Sequence, residues 1–217
     1  MSFGEPYPKI NGAFKRDNHG VIIPGNWSVP EFAYLQDADW EWTEKVDGTN
    51  IRLHWNGTEV SIGGRTDNAQ LPQKLVSNLS GLVFSPGTWE NVFPDCDDVT
   101  VYGEGYGAGI QSGGNYSPDQ EFIVFDVKIG QWWLKRDDVI DVAGKLGQKA
   151  VPFMGTGTLN NVWEFIMRFG LESDWDGVKA EGLVGRPAVD LYNRKGDRIV
   201  TKLKVKDWED YQRRQDG

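Results

Sequence analysis

The alternation of apolar and polar residues between residues 40 and 62 constrains the fold of this chain more than any other feature. Trp40–Lys45, residues 51–55 and residues 59–62 alternate or are rich in β-branched side chains, as strands are. Asn56-Gly57 separates the last two segments, and both residue types accept the positive φ of a two-residue hairpin turn. The sequence therefore predicts neighbouring antiparallel strands in this region.

Other predicted strands are interrupted irregularly by predicted helices. Apolar residues at three- and four-residue spacing predict a helix over residues 75–83. Asp137 or Asp138 is expected to cap a helix that ends near Gly147, and Thr158 is expected to cap another. Strands are predicted over residues 99–102, 121–128, 177–184, 188–192 and 199–205. Because there is no regular β-α-β alternation, the expected fold class is α+β, with antiparallel β-sheets flanked by helices.

Two details of these strands bear on function. The glycine-rich segment 103–107 is predicted to be a turn that follows the strand over residues 99–102. Strict alternation in residues 121–128 places one set of side chains on each face of that strand. The first set is Phe122, Val124 and Asp126, and the second is Ile123, Phe125 and Val127.

The composition is that of a folded protein. Of 217 residues, 39% are hydrophobic and ten are tryptophan, which excludes disorder. The single cysteine, Cys96, excludes an intrachain disulfide, and with two histidines it does not suit a structural zinc site. Neither a signal peptide nor an apolar run of ~20 residues is visible, so we expect a cytoplasmic protein.

The charge is unevenly distributed. A net charge of −9 argues against a general nucleic-acid coat, because affinity for phosphate comes from clustered Lys and Arg. Residues 194–206 nevertheless carry six basic side chains against the single acidic residue Asp197. This local excess is either a site for phosphates or a solvated basic face.

Lys45-Val46-Asp47-Gly48 is the sharpest motif in the chain. It lies at the end of one predicted strand and the start of the next, so it can present an amine to a ligand that approaches the backbone. An exposed lysine before an Asp-Gly turn is the plain alternative. Four other segments decide between a ligand-facing amine and an exposed lysine. They are Tyr102-Gly103-Glu104, residues 122–127, Glu181-Gly182-Leu183-Val184 and Lys202-Leu203-Lys204.

These five segments, in this order, resemble the motifs of the covalent nucleotidyltransferase superfamily of ATP-dependent ligases and mRNA capping enzymes. The resemblance implies the ATP-grasp-like nucleotidyltransferase domain of DNA and RNA ligases. It also implies that Lys45 attacks the α-phosphorus of a nucleotide and that Lys202 and Lys204 assist catalysis and bind phosphates. Glu181 would bind Mg²⁺ or Mn²⁺. The remaining nucleotide-binding residues would be Glu44, Asp47, Gly48, Glu104 at the ribose and Phe125 stacked on the base.

Two further segments resemble the nick-sealing RNA ligases of phages and of kinetoplastid editing. They are Thr49-Asn50 and Gly64-Arg65-Thr66, and the resemblance assigns Asn50 to a phosphate and Arg65 to the 5′-phosphate of the polynucleotide. The expected activity is that of an ATP-dependent RNA ligase which forms lysyl-AMP, transfers AMP to an RNA 5′-phosphate and seals it to a 3′-hydroxyl. A DNA ligase, a capping guanylyltransferase and a non-catalytic module that binds a nucleotide or an RNA end remain alternatives.

The chain departs from these families at its C-terminal end. Only thirteen residues follow Lys204, where the relatives carry a β-barrel or a helical domain. We therefore expect residues 1–217 to form a single nucleotidyltransferase domain without a C-terminal domain. Either this domain suffices for RNA with 5′-phosphate and 3′-hydroxyl ends, or a partner protein supplies the missing surface.

Overall fold

The computed structural model describes residues 3–83, 85–112 and 115–215, which divide into two compact units. The central unit consists of the residues up to Tyr7 together with Val46–Val151. The terminal unit consists of Pro8–Lys45 and the residues from Pro152 onward. The elements below are numbered in chain order across both units.

The terminal unit is built on a five-stranded sheet and a two-stranded ribbon. The sheet contains β1 (Asn11–Gly12), β4 (Trp40–Lys45), β11 (Phe153–Gly157), β12 (Gly182–Pro187) and β13 (Thr201–Lys204), and the ribbon contains β2 (Phe14–Arg16) and β3 (Ile22–Trp27). The strand order in the sheet is β1-β13-β12-β4-β11, and all pairs are antiparallel except β1 with β13. The helices are α1 (Pro30–Tyr34), α5 (Leu159–Phe169) and α6 (Val205–Gln215).

The core of the terminal unit follows from the alternation in β4. Trp40 and Trp42 point to the core and are fully buried, and Leu183 of β12 and Leu203 of β13 belong to the same cluster. Helix α5 adds its buried face to this cluster. As predicted, α5 is capped by Thr158, whose hydroxyl accepts a hydrogen bond from the Asn161 N–H at 3.1 Å.

The central unit contains a six-stranded sheet with helices packed against one face. Its strands are β5 (Thr49–Trp55), β6 (Val60–Gly64), β7 (Val99–Tyr106), β8 (Glu121–Ile129), β9 (Trp132–Trp133) and β10 (Lys149–Ala150). The order is β10-β8-β7-β5-β6, with β9 paired to β8, and only β10 with β8 is parallel. The helices are α2 (Gln73–Val83), α3 (Pro86–Val92) and α4 (Arg136–Lys145).

The predicted α+β class with antiparallel sheets and helices is confirmed. The predicted hairpin is present, since β5 and β6 pair from Ile51 with Gly64 to Trp55 with Val60. The predicted two-residue turn was wrong, because four residues, 56–59, connect the strands and only Gly57 of the Asn56-Gly57 pair has a positive φ. The Asn56 side chain accepts hydrogen bonds from the Thr58 and Glu59 N–H groups instead. None of the described helices has the length and apolarity needed to cross a membrane.

The prediction of a glycine-rich turn after residue 102 was wrong, because β7 continues as a strand to Tyr106. The glycines serve close packing within the sheet. A Cβ on Gly103 would lie far inside van der Waals distance of the Phe122 ring and the Ile123 carbonyl oxygen. A Cβ on Gly105 would collide with Leu75 of α2 in the same way. The strand therefore depends on the absence of side chains at these two positions.

Replacing Gly103 with alanine should lower the free energy of unfolding by about 1–3 kcal/mol, because the added methyl group overpacks the sheet. Gly144 of α4 is the matched control. Its φ is not positive, and no described residue outside its own helical backbone lies within 4 Å of the position that an added methyl group would occupy. Gly144→Ala should be neutral or slightly stabilising. Urea unfolding of both variants measures the difference, and equal stabilities would contradict this account of β7.

The predicted division of side chains along residues 121–128 was also wrong, because a β-bulge interrupts β8. Tyr102 pairs with Asp126, whereas the adjacent Gly103 pairs with Val124, so Phe125 has no partner in the register. Phe122, Val124 and Val127 all belong to the core that faces the helices. The bulge thus moves Asp126 off the face that strict alternation assigns to it.

Other predicted boundaries also require correction. Helix α4 begins one residue after its N-cap Lys135, so Asp137 and Asp138 lie in its first turn, where carboxylates interact favourably with the helix dipole. The strand predicted over residues 177–184 begins only at Gly182. Residues 188–192 form an isolated bridge between Tyr192 and Arg198 rather than a strand, because the Asn193 side chain accepts the Lys195 and Asp197 N–H groups in a tight turn.

Candidate active site

Lys45 lies at the last position of β4, an interior strand of the sheet of the terminal unit. Strand β12 pairs with β4 on one side and with β13 on the other, so Gly182 lies opposite both Lys45 and Lys204. The two lysines come from segments that are far apart in the sequence, and the sheet places them on either side of the start of β12.

The carboxylate of Glu181 joins these two lysines. Lys45 Nζ lies 2.5 Å from Glu181 Oε2, and Lys204 Nζ lies 2.6 Å from Glu181 Oε1. All three side chains are partly accessible, with Lys45 exposed by 23% and Glu181 by 17%. One carboxylate against two ammonium groups leaves an excess of positive charge that suits an anionic ligand.

Gly182 explains how Lys204 comes so close to Glu181. A Cβ at this position would overlap the carbonyl oxygen of Leu203, so only glycine lets β12 and β13 approach to this extent. The Glu181 carbonyl also accepts a hydrogen bond from the Val205 N–H at 3.0 Å, which fixes the end of β13 beside it.

Lys202 lies on the same face of β13 as Lys204. The inward residues Thr201 and Leu203 are buried, whereas both lysines are partly exposed. The predicted pair of basic side chains two residues apart is therefore present as a local arrangement. Lys202 pairs in register with Val184, two positions along β12 from Gly182.

Glu44 points to the opposite face of β4 from Lys45 and is only 1% exposed. Ser173 Oγ donates to Glu44 Oε1 at 2.6 Å, and the Asp174 N–H donates to Oε2 at 2.9 Å. Both carboxylate oxygens thus hold the loop that precedes Glu181. The predicted role of the Glu44 side chain as a nucleotide ligand stays a prediction, but in this structure the side chain is committed to the loop.

Burial raises the pKa of Glu44 above its ordinary value of 4.5, although the two hydrogen bonds favour the carboxylate. A carboxyl whose folded-state pKa is raised stabilises the fold most below pH 4.5, and this contribution is lost as the pH rises through the folded-state pKa. Glu44→Gln removes this titration. From about pH 4 to pH 7, the variant should therefore gain stability relative to the wild type. Urea unfolding at several pH values measures this change, and parallel pH dependences would contradict it.

The other predicted residues lie in the central unit. Asp47 Oδ2 accepts a hydrogen bond from the Ser112 N–H at 3.2 Å. Gly48 lies so close to the Gly105 carbonyl oxygen and the Glu104 side chain that a Cβ would clash with both. Gly48 therefore packs the start of β5 against Glu104 and Gly105, whereas Asp47 bonds to Ser112 beyond the end of β7.

Asn50 and Glu104 are direct register partners on β5 and β7. The Asn50 Oδ1 atom is buried and has no hydrogen-bond partner among the described residues, so it can accept a hydrogen bond from a ligand. An amide oxygen cannot donate to a phosphate, and the predicted phosphate contact would need the NH₂ group of this amide. Arg65 is exposed in the loop after β6, away from any register partner.

Phe125 lies at the bulge of β8 and is half-buried. Its ring packs edge-on against Tyr7, with the ring centroids 4.9 Å apart. An aromatic ring at a bulge is re-aimed relative to the regular pleat, and part of its surface is open to a flat ligand.

Several polar residues that the sequence motifs did not predict lie on the face of this sheet away from the core. Arg52 is fully buried and donates to the Gly4 carbonyl at 2.6 Å and to Asp67. Tyr102 donates to the Glu5 carbonyl at 2.9 Å, and burial raises its pKa to about 12, which keeps the hydroxyl protonated. In the sequence, Arg52 between Ile51 and Leu53 indicates that one face of this strand is polar. Nothing in the Pro-rich N-terminal segment indicates that it binds to that face.

The donor set around Glu181 is compatible with Mg²⁺. No group of three or more metal-binding side chains gathers within the described ranges, so a preformed all-protein cage is absent there. Mg²⁺ is usually held by one or two carboxylates together with substrate phosphates and water. The partly exposed Glu181 could supply one such carboxylate once a lysine turns from it to a phosphate, since both of its oxygens pair with lysines in this structure.

Comparison with known proteins identifies the class that this geometry represents. The RNA ligase family profile matches residues 38–204, which is most of the chain and includes every predicted site residue. The chain belongs to the RNA ligase family. A search of curated protein sequences found no match.

The fold is that of the RNA ligase of Naegleria gruberi. The structure of that enzyme with PPi superimposes with a TM-score of 0.64 at 18% identity, covering 97% of this chain and 61% of that one. A lysine-to-alanine variant with ATP and Mn gives 0.62 at 16% identity, covering 95% and 63%. A lysine-to-methionine variant with AMP and Mn gives 0.63 at 18% identity, covering 96% and 61%. This chain therefore spans less than two thirds of these matched chains.

Proposed function

We propose that the protein is an ATP-dependent RNA ligase that works through a lysyl-AMP intermediate on Lys45. The observation that carries this proposal is the arrangement of Lys45, Glu181 and Lys204, in which a candidate nucleophile and a second cation share one carboxylate on three adjoining strand ends. Membership of the RNA ligase family and the ATP, AMP, PPi and Mn in the Naegleria gruberi structures support it.

In the first step, the Lys45 amine attacks the α-phosphorus of ATP. A bond forms between Nζ and phosphorus, the bond to the bridging oxygen of the β-phosphate breaks, and pyrophosphate leaves. The amine must lose a proton, and Glu181 Oε2 at 2.5 Å is within reach to accept it and pass it to solvent, which restores the carboxylate. Lys204 and Lys202 place positive charge where negative charge develops on the phosphates.

In the second step, an oxygen of the RNA 5′-phosphate attacks the phosphorus of lysyl-AMP, the P–N bond breaks and Lys45 recovers its proton. In the third step, the oxygen of a 3′-hydroxyl attacks the activated 5′-phosphate, its proton passes to solvent, the anhydride bond to the adenylate breaks and AMP leaves. Mg²⁺ held by Glu181 would supply further charge neutralisation on the phosphates. Positioning and charge neutralisation are the main requirements of such transfers.

The remaining assignments are part of the same proposal. Glu104 and Phe125 hold the ribose and base, Asp47 and Gly48 shape the start of β5, and Asn50 and Arg65 handle the RNA phosphates. Residues 1–217 act as one nucleotidyltransferase domain in the cytoplasm, and a partner protein can supply further contacts to RNA.

The test is incubation with α-³²P-ATP and Mg²⁺, followed by denaturing electrophoresis and acid treatment. The expected result is an acid-labile label on the protein that is chased into product by nicked RNA. Labelling by GTP instead would indicate a guanylyltransferase, and sealing of nicked DNA but not nicked RNA would indicate a DNA ligase. Binding of ATP without any covalent label would indicate a non-catalytic module.

A further inference from the structure

The bulge in β8 leaves Phe125 without support from the neighbouring strand. Gly103 and Tyr102 pair with Val124 and Asp126, so the backbone of Phe125 is the extra residue between them. A bulge residue is held less firmly by the sheet than a paired one, and its side chain takes its direction from what it packs against.

Tyr7 is the residue that Phe125 packs against. The two rings meet edge-to-face, with centroids 4.9 Å apart and planes at 77°. Tyr7 makes similar contacts with Tyr102 at 5.1 Å and with Trp133 at 5.6 Å. Its hydroxyl donates to Asp126 Oδ2 at 2.8 Å, beside Phe125 on the bulged strand. Ring contacts of this kind contribute about 0.5–1.5 kcal/mol each beyond the burial of surface.

The segment that carries Tyr7 is itself fixed to the sheet. The Gly4 carbonyl accepts from Arg52 at 2.6 Å, the Glu5 carbonyl accepts from Tyr102 at 2.9 Å, and the Glu5 carboxylate pairs with Lys128 at 2.5 Å. Arg52 is fully buried, so its contact with the Gly4 carbonyl is shielded from water. The Glu5 carboxylate that pairs with Lys128 is 69% exposed, so this ion pair is open to solvent. Residues 4–7 thus form an ordered segment that lies across the polar face of the central sheet.

We infer that Tyr7 is a positioning residue of the nucleotide site, which holds the Phe125 ring in the orientation that stacks on the nucleobase. The inference rests on the proposed function, since it requires Phe125 to contact the base. It predicts that Tyr7 affects the binding of ATP through its base and leaves the reactions of the phosphates unchanged. The ligand class for the Tyr7–Phe125 pair is a planar nucleobase.

The experiment measures two reactions of the Tyr7→Leu and Tyr7→Phe variants. The forward reaction is adenylylation of the lysine by ATP, and the reverse reaction is removal of the adenylate by pyrophosphate. With Tyr7→Leu, the KM for ATP should rise about tenfold while kcat changes less than about twofold, because a ring contact and a charge-assisted hydrogen bond are lost. Tyr7→Phe keeps the ring and should raise the KM about threefold. In the reverse reaction of the adenylylated protein, the KM for pyrophosphate should stay unchanged, since pyrophosphate has no base.

Tyr34→Leu is the matched control, because Tyr34 is 88% exposed. It should leave both KM values at the wild-type level. If Tyr7→Leu keeps the wild-type KM for ATP, or raises the KM for ATP and for pyrophosphate equally, the role of Tyr7 is overturned while the proposed function stands. If neither the wild type nor the control variant forms lysyl-AMP, the proposed function fails and the inference fails with it. Should Tyr7→Leu not fold, Tyr7→Phe alone decides by the same two KM values.

Discussion

Replacement of Lys45 by arginine or alanine should abolish the transfer of label from α-³²P-ATP to the protein, with a loss of at least about a thousandfold in rate. Alanine has no nucleophile, and the guanidinium of arginine stays protonated and cannot attack. Arginine can still form an ion pair with Glu181, as Lys45 does in this structure. Loss of labelling in Lys45→Arg would therefore show that the reaction needs the lysine amine as nucleophile and not only the ion pair. Quantitative electrophoresis of the labelled protein provides the measurement.

The control for this prediction is a lysine that also has a carboxylate partner but lies elsewhere. Lys145 pairs with Asp141 one turn earlier on α4, and both are exposed. Lys145→Arg should keep full labelling. The Lys45 variants should also still join RNA that is supplied already adenylylated, because the third step does not use this amine. Labelling of Lys45→Ala at the wild-type rate would refute the assignment of the nucleophile.

Glu181→Gln should reduce the rate of labelling by about a hundredfold to a thousandfold. Glutamine has nearly the same size, but it cannot accept the proton of Lys45 as a carboxylate can, and it binds Mg²⁺ poorly. Because these side chains are partly exposed, the free energy of unfolding should change by less than about 1 kcal/mol. Single-turnover labelling combined with urea unfolding separates the two effects.

The comparison variant is Asp141→Asn, which removes the carboxylate of the exposed pair with Lys145. It should leave the rate of labelling unchanged. Wild-type labelling by Glu181→Gln would mean that the shared carboxylate is only a structural ion pair, whereas a large loss of stability would mean that inactivity reflects unfolding. Varying the Mg²⁺ concentration adds a second readout, since a variant that has lost a metal ligand should need more metal.

Local regularity explains which parts of the fold the sequence predicted. The alternation in Trp40–Lys45 and the Asn56-Gly57 pair predict structure from neighbouring residues alone. Strand β4 and the β5–β6 hairpin are both present, although the hairpin loop has four residues rather than the predicted two. The cap by Thr158 is equally local. Lys202 and Lys204 share a face of β13 because the strand period is two.

The features that escaped prediction depend on partners far away in the sequence. The bulge at Phe125 arises from the pairing of β8 with β7, and its position cannot be derived from residues 121–128 alone. Gly103 and Gly105 look like turn residues until the neighbouring Phe122 and Leu75 are in place. Glu44 precedes the predicted nucleophile, yet its side chain bonds to Ser173 and Asp174, 129 and 130 residues further on.

The candidate site shows the same division. The motifs predicted which residues carry the chemistry, but the sequence did not indicate that Glu181 contacts Lys45 and Lys204 at once. That contact requires β12 to lie between β4 and β13, and it requires a glycine at position 182 so that β13 can approach β12 closely. Nor did the sequence place Tyr7 beside Phe125, since 118 positions separate them in the chain.

Mass spectrometry of the protein after incubation with ATP and Mg²⁺ tests the central claim most directly. The account predicts that the intact mass increases by one adenylate, that peptide fragmentation places this adduct on Lys45, and that added pyrophosphate removes it. An adduct on Lys202, on Lys204 or on any other residue would contradict the account, as would an unchanged mass under conditions in which ATP binds.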